Sequence, residues 1–257
     1  MTQPLSGPEG RAVFRQLAAA RRPVFFFDVD GTLAPLVTRP ETASTPHRTR
    51  RLLLALRATG ARVVLVTGRA ARDAYRVVGF EFDGILGNHG AELLRKNRVS
   101  RWTGGNVAAI HAVARRIARK LEHTWPDIRV EEKGHSIALH HHLNADRFPR
   151  LLSTVRHLLR GGDIVALAGR RVIDIRARGA DKGTSVLRWL ERIEKGGIPL
   201  TEVFYAGDDT TDEDAFRELG PEATTVAVGR RPQGARFRTP SPLSLAKWLH
   251  RMERARR

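Results

Sequence analysis

Val24-Phe25-Phe26-Phe27 runs without a break into Asp28-Val29-Asp30-Gly31-Thr32-Leu33, and this junction constrains the chain more than any other stretch. Four consecutive large apolar residues leave no side for water, so the segment reads as a strand covered on both faces, as in a parallel sheet. The Asp-Gly pair that ends it is a turn former. Two more short apolar runs follow, at 62–67 (RVVLVT) and 84–86. Between the first two, Thr45-Pro46 supplies a cap and a first-turn proline, Leu52, Leu53 and Leu56 share one helical face, and Gly60 stops the helix. A second short helix is expected over 70–78, closed by Gly79. The first 90 residues therefore read as βαβαβ with a parallel sheet. Residues 1–10 are expected to be loose.

Beyond that point the pattern changes. Val107, Ile110, Ala114, Ile117 and Leu121 fall on one helical face, followed by strand-like runs at 128–133 and 136–142. A helix over 147–160 and a strand pair at 164–168 and 171–175 complete an αββαββ module, a separate α+β layout. From Lys182 the βα alternation resumes, with helices at 183–194 and 212–219 and strands at 203–206 and 224–228. Ser241-Pro242 opens a last helix whose inner face is Leu245, Trp248, Leu249 and Met252. The expected fold class is α/β: a doubly wound parallel-sheet (Rossmann-like) core, residues 1–95 and 178–257, interrupted by an inserted α+β domain, residues 96–177. Linkers are expected near 95–97 and 176–180, and there are no internal repeats.

Composition narrows the function classes. The 257 residues contain no cysteine, which excludes disulfide frameworks, thiol nucleophiles and cysteine-ligated metal sites. Apolar runs of about five residues, such as 52–56, fall far short of the ~20 that a membrane-spanning helix needs. No charged start followed by an apolar core marks a secretion signal, so a cytoplasmic setting is expected. The net charge of +18 raises the question of nucleic acid. Only six of the 45 basic residues are lysine, however, and the arginines are spread along the chain with no dense block before 251–257. With 6% aromatic residues and no single-strand stacking motif, nucleic acid is the disfavoured partner. The arginine dominance reads as a compositional habit rather than a binding stripe, with attraction of anionic substrates as its functional side.

In an open α/β sheet, ligands bind beyond the carboxyl ends of the strands, so the informative residues follow each apolar run. Asp28 and Asp30 follow the first, Thr67-Gly68-Arg69 the second, and Asp208, Asp209 and Asp212 a later one, while Lys182-Gly183 opens a helix. Converging carboxylates repel one another unless a cation is present. An oxygen-only ligand set favours a hard ion such as Mg²⁺, which usually accompanies phosphate. The Thr67 hydroxyl, the Gly68 N–H and the Lys182 ammonium suit phosphoryl oxygens, so the set reads as phosphoryl transfer. Singly each residue has a plain alternative: a turn aspartate, a solvated lysine, an acid-rich helix start. Their order and placement carry the signal.

Asp28–Leu33 (DVDGTL), 66–69 (VTGR), Lys182 and 207–214 (GDDTTDED) resemble the four motifs of the haloacid dehalogenase superfamily of phosphatases. The resemblance implies that Asp28 is the nucleophile that takes the phosphoryl group and that Asp30 protonates the leaving alcohol and then activates water. It further implies that Thr67 and Lys182 complete the catalytic set. Mg²⁺ would be held by the Asp28 carboxylate, the Asp30 carbonyl and Asp208, with Asp209 and Asp212 in support.

The segments 87–92 (GNHGAE), 130–142 (VEEKGHSIALHHH), 172–183 (VIDIRARGADKG) and 207–216 (GDDTTDEDAF) are more narrowly similar to trehalose-6-phosphate phosphatases, over roughly residues 22–250. The inserted module then corresponds to that family's cap, whose opening and closing would accompany turnover. By this resemblance Gly68, Arg69, Asn88, His89 and Gly90 in the core, and Glu131, Lys133, His140, His142 and Asp174 in the insert, bind substrate. Alternation along a strand independently places Glu131 with Lys133, and His140 with His142, on common faces. A solvated sheet face is the plain alternative. The chain departs from the family where His142 stands for the usual Arg, Asp174 for Glu and Ala177 for Pro. The implied reaction is hydrolysis of trehalose 6-phosphate, with a functional link to the synthase upstream. A phosphatase of another sugar phosphate, of the sucrose- or mannosylglycerate-phosphate type, is the alternative.

Overall fold

The structure is a computed structural model that describes all residues except 1, 38, 103–106, 122–123, 133–135, 144–145, 160–163, 170, 178 and 231. The chain divides into two compact units, Met1–Trp102 with Asp181–Arg257, and Thr103–Ala180. No helix among the described residues is long and apolar enough to cross a membrane.

The first unit opens with β1 (Gln3–Pro4), α1 (Pro8–Ala19), β2 (Val24–Phe27), α2 (His47–Ala58), β3 (Arg62–Val66), α3 (Ala71–Val78), β4 (Gly84–Gly87), β5 (Glu92–Arg95) and β6 (Arg98–Arg101). The second unit holds α4 (Val107–Leu121), β7 (Arg129–Glu132), β8 (Ser136–His140), α5 (Arg147–Leu158), β9 (Ile164–Gly169) and β10 (Val172–Ala177). The first unit then resumes with α6 (Lys182–Arg192), β11 (Val203–Gly207), α7 (Glu213–Leu219), β12 (Thr224–Val228), β13 (Phe237–Thr239) and α8 (Pro242–Ala255).

Nine strands form one sheet in the order β1-β13-β12-β11-β2-β3-β4-β5-β6. Pairing is parallel from β1 through β4 and antiparallel for β4–β5 and β5–β6. Strand β2 alternates between the two faces of this sheet. Phe25 and Phe27 join a cluster with Val13 and Leu17 of α1, Leu53 and Leu56 of α2, and Trp248, Leu249 and Met252 of α8. Val24 and Phe26 join another with Val186 and Trp189 of α6 and Phe216 of α7. Each such fully buried side chain contributes roughly 1.5–3 kcal/mol, so the uninterrupted run is what a strand sandwiched between two helical layers requires. Phe27 is in register with Ala206 on one side and Leu65 on the other, so β2, β11 and β3 end at one level. β2 connects onward to β3 but also pairs with the late strand β11, and this reversal of direction opens the crevice into which Asp28 points the chain.

Several expectations need correction. The stretch expected to be loose is ordered from residue 3 on: Gln3 and Pro4 pair with Phe237 and Arg238, and α1 begins at Pro8, a favoured first-turn proline with Glu9 beside it. The expected linker at 95–97 is the turn of the β5–β6 hairpin, in which Lys96 and Asn97 both adopt positive φ (52° and 60°), as a two-residue primed turn demands. The boundary therefore falls after Trp102 rather than at 96, and the second crossing lies after Ala180 rather than at 178. α2 starts at His47 with Pro46, not Thr45, in the capping position.

The second unit is a four-stranded antiparallel sheet, β7-β8-β10-β9, covered on one face by α4 and α5. Ile137 and Leu139 of β8 and Ile173 and Ile175 of β10 meet Ile117, Leu121, Leu151 and Val155 of the helices. Alternation leaves Ala138 and Asp174 on the opposite face, paired side by side with Glu131 in the next strand.

Candidate active site

The site is built at the carboxyl ends of β2, β3, β4 and β11. Asp28 follows β2, donates its N–H to the Ala206 carbonyl at 2.9 Å and is buried. Its Oδ1 accepts a hydrogen bond from Lys182 Nζ at 2.7 Å. Lys182 is the first residue of α6, whose N-cap Asp181 accepts from the Thr184 N–H at 2.7 Å, so the capping geometry fixes where the lysine starts. The same Nζ donates to Asp212 Oδ1, also at 2.7 Å. Both Lys182 and Asp212 are shut off from solvent, at 2% and 0% exposure.

Asp208, Asp209 and Asp212 come from the turn after β11. Asp28, Asp208 and Asp212 each offer an oxygen within 4.8 Å of the others. Gly31 lies against this group with φ of 82°, and a Cβ there would stand 2.1 Å from Asp208 Oδ2, so both conformation and space demand glycine. Burial, with Asp212 and Asp208 adding to it against Lys182, holds the Asp28 carboxyl well above the usual carboxylate range. Burial and Asp212 push Asp208 up to about 7. Burial works against the Lys182 ammonium, but Asp212 and Asp28 outweigh it and raise the group above its ordinary value, so the shared proton stays on the lysine. One ammonium faces three carboxylates. That surplus of negative charge on hard oxygens fits a divalent cation.

The other predicted residues are placed as follows. The Asp30 carboxylate turns to Arg69, taking Nε at 2.6 Å on Oδ2 and Nη2 at 2.7 Å on Oδ1. The Asp209 carboxylate accepts from the Thr210 N–H at 2.7 Å. Neither side chain belongs to the three-carboxylate group. Thr67 is buried, and its hydroxyl oxygen accepts from the Arg69 N–H at 3.2 Å. Asn88, His89 and Gly90 follow β4 with three consecutive positive φ values (49°, 54° and 93°). Asn88 N–H donates to the Arg69 carbonyl and His89 N–H to the Thr67 carbonyl, at 2.7 and 2.9 Å, stitching the loops after β3 and β4 together. The His89 ring sits over Gly68, where a Cβ would meet it at 2.7 Å.

In the second unit, Glu131 Oε2 and His140 Nε2 are 2.5 Å apart. Lys133 lies outside the described residues. β8 ends at His140, so His142 is exposed beyond the strand and does not share a strand face with it. His141 follows the strand's last pair with its N–H still bonded to the Arg171 carbonyl at 3.0 Å; its ring is buried, stacked on Phe148 at 4.6 Å, and accepts the Leu143 N–H on Nδ1. Asp174 is buried on β10.

Two contributors escaped the sequence reading. Glu92 is buried and accepts the Ala71 N–H at 2.9 Å, serving the start of α3. Tyr205 donates its hydroxyl to Asp212 Oδ1 at 2.7 Å. An aromatic residue two positions before Gly207-Asp208, at the end of a buried strand, was the available signal for the second.

A mainly parallel sheet with helices on both faces, an α+β insertion and carboxylates gathered at the strand ends define an α/β fold of the haloacid dehalogenase type. The trehalose-phosphatase family model matches residues 26–242, and the chain belongs to that family. It is 32% identical over 245 residues to a trehalose-phosphate phosphatase of Mycobacterium tuberculosis, covering 91% of this chain and 62% of that relative. The chain thus spans less than two thirds of that relative's length. A solved trehalose-6-phosphate phosphatase related protein superposes with a TM-score of 0.70 at 26% identity, over 90% of this chain and 97% of the other. The C-terminal domain of trehalose-6-phosphate phosphatase from C. albicans gives a TM-score of 0.80 at 21% identity, over 98% of each chain, which speaks to the fold.

Proposed function

We propose that the chain is a Mg²⁺-dependent phosphatase that hydrolyses trehalose 6-phosphate to trehalose and phosphate through an aspartyl phosphate on Asp28. The observation that carries this is the buried Lys182–Asp28 contact beside Asp208 and Asp212, in a chain of the trehalose-phosphatase family. Lys182 occupies Asp28 Oδ1, so attack on phosphorus falls to Oδ2. As the new Asp28–phosphorus bond forms, the bond from phosphorus to the sugar oxygen breaks, and Asp30, protonated on an oxygen that Arg69 releases when it turns to the phosphate, delivers that proton to the sugar oxygen. In the second half Asp30 takes a proton from water, whose oxygen bonds to phosphorus while the bond to Asp28 breaks. Charge between nucleophile and phosphate would be offset by Mg²⁺ held by the Asp28 carboxylate, the Asp30 carbonyl and Asp208, with Asp209 and Asp212 in support. Thr67, Gly68 and Arg69 receive the phosphoryl oxygens, and the Asn88-His89-Gly90 turn backs them. We assign the cap role to the inserted unit, with sugar recognition by Glu131, Lys133, His140, His142 and Asp174. The substrate's chemistry sets the reaction after a synthase that makes trehalose 6-phosphate, in the cytoplasm.

The experiment is phosphate release from a panel of sugar phosphates with Mg²⁺ and with chelator, wild type beside Asp28→Asn. Turnover of trehalose 6-phosphate that both chelation and the substitution abolish is the expected result. Preference for another sugar phosphate would trace to His142 and Asp174, and no hydrolysis at all would overturn the catalytic reading.

A further inference from the structure

The Asp212 carboxylate has no exposure to solvent, and its bonds are committed. Oδ1 accepts from Tyr205 Oη and from Lys182 Nζ, both at 2.7 Å, and Oδ2 accepts from the Asp209 N–H at 3.0 Å. It fills the space over Gly207, where a Cβ would stand 2.1 Å from Asp212 Cγ, so the backbone fixes it from behind. The Tyr205 ring is a core element: it stacks on Phe26 with centroids 6.5 Å apart and meets Phe216 edge-on at 5.8 Å. Phenylalanine would serve that packing equally. Among the described residues the buried hydroxyl is matched by the carboxylate it bonds, and a buried hydroxyl without such a partner costs free energy.

We propose that Tyr205 is a positioning residue: by pinning Asp212 Oδ1 it keeps Asp212 as the counter-ion that steers Lys182 onto Asp28, rather than as a direct ligand of the cation. The chemistry of the donor matters. A second ammonium or a guanidinium would also hold Asp212, but it would cancel the negative charge that a cation needs. A neutral hydroxyl fixes the position and leaves the charge of Asp28 and Asp208 intact. Lys182 has three N–H donors on a flexible stem, and it is held between two carboxylates only while both stay put. Asp212 thereby supports the site through Lys182.

The turnover arm of the test rests on the phosphatase reading; the metal-binding arm does not. Tyr205→Phe is compared with wild type in three measurements: Mg²⁺ affinity of the metal-free protein by calorimetry, thermal melting, and kcat and KM for phosphate release at saturating Mg²⁺. The expected result is a kcat lowered about ten- to a hundredfold, the usual effect of losing a partner that orients a reacting group, with KM within twofold and Mg²⁺ bound no more weakly than by wild type. An unchanged kcat would overturn the proposal, as would Mg²⁺ binding weakened fivefold or more, because Asp212 would then act at the cation. Failure of Tyr205→Phe to fold would also overturn it, since the hydroxyl would then be a requirement of the core rather than of the site. A wild type that releases no phosphate sinks the phosphatase reading instead, and the calorimetric comparison still decides whether Asp212 acts at the cation.

Discussion

Arg69 grips Asp30 with a two-pronged contact, Nε to Oδ2 at 2.6 Å and Nη2 to Oδ1 at 2.7 Å, across two loops that leave different strands. The fork fixes the plane of the carboxylate as well as its charge, which an ammonium cannot do. Arg69→Lys should therefore lose about 10²-fold in kcat/KM for phosphate release, although the charge is kept. Recovery to within threefold of wild type would show that charge alone suffices there.

Lys182 is the sole cation bonded to Asp28 and Asp212 among the described residues. Replacing it by methionine strands two buried carboxylates, and breaking such a pair from one side costs about 3–5 kcal/mol. Urea unfolding of Lys182→Met in chelator should show a loss of that order, and Mg²⁺ should narrow the gap. A variant as stable as wild type without metal would mean that the carboxylates are protonated there.

The raised value of Asp208, about 7 against an ordinary 3.8, sets a pH dependence for the metal-free protein. Between those values the folded state holds a proton that the unfolded state has released, so this group's contribution to stability falls as pH rises from about 4 to 7 and is flat above. A bound cation removes the penalty on the ionised form. The rise in melting temperature on adding Mg²⁺ should accordingly be larger at pH 8 than at pH 5.5, and an equal rise at both would contradict the assignment.

Arg256 closes the ends of two helices at once. Its guanidinium donates to the carbonyls of Leu17 and Ala18 in the last turn of α1 and of Ala20 just beyond it, and to the Thr59 hydroxyl and carbonyl after α2. These are the orphan acceptors that every helix terminus leaves. Arg256→Ala should cost about 2 kcal/mol in urea unfolding and leave kcat unchanged, while Arg254→Ala on the exposed side of α8 should change neither. Equal behaviour of the two variants would remove the clamp from the account of stability.

The strands with the strongest burial demands, β2, β3, β4, β11 and β12, were legible within a residue or so, because a run without a polar face has one solution. The short edge elements were not. β5 and β6 are four-residue strands studded with Arg95, Arg98 and Arg101, and their turn uses Lys-Asn rather than the Asn-Gly that usually announces it. β1 and β13 gain meaning only from each other. In the site, residue identity pointed to Asp28 and Asp208 at strand ends and to Lys182 at a helix start. The grip of Arg69 on Asp30 and the bond from Tyr205 to Asp212 are side-chain pairings set by tertiary geometry, which spacing along the chain does not encode.

The sheet order also fixes which strands must wait for a neighbour while the chain is being made. The second unit is one continuous stretch, Thr103–Ala180, so every residue of its core has been made before the chain returns to the first unit. The first unit waits longer: β2 lacks its neighbour β11 until residue 207 has been made, β1 lacks β13 until residue 239, and α1 lacks the guanidinium of Arg256 until that residue follows. At roughly 5–20 residues per second, the wait of β2 for β11 lasts about ten to thirty-five seconds. During it the half-made sheet presents the apolar edge of β2 unpaired, a template for wrong partners on the ribosome. The insertion is thus complete early, and Asp28 meets Asp208 and Asp212 only after all of it has been made.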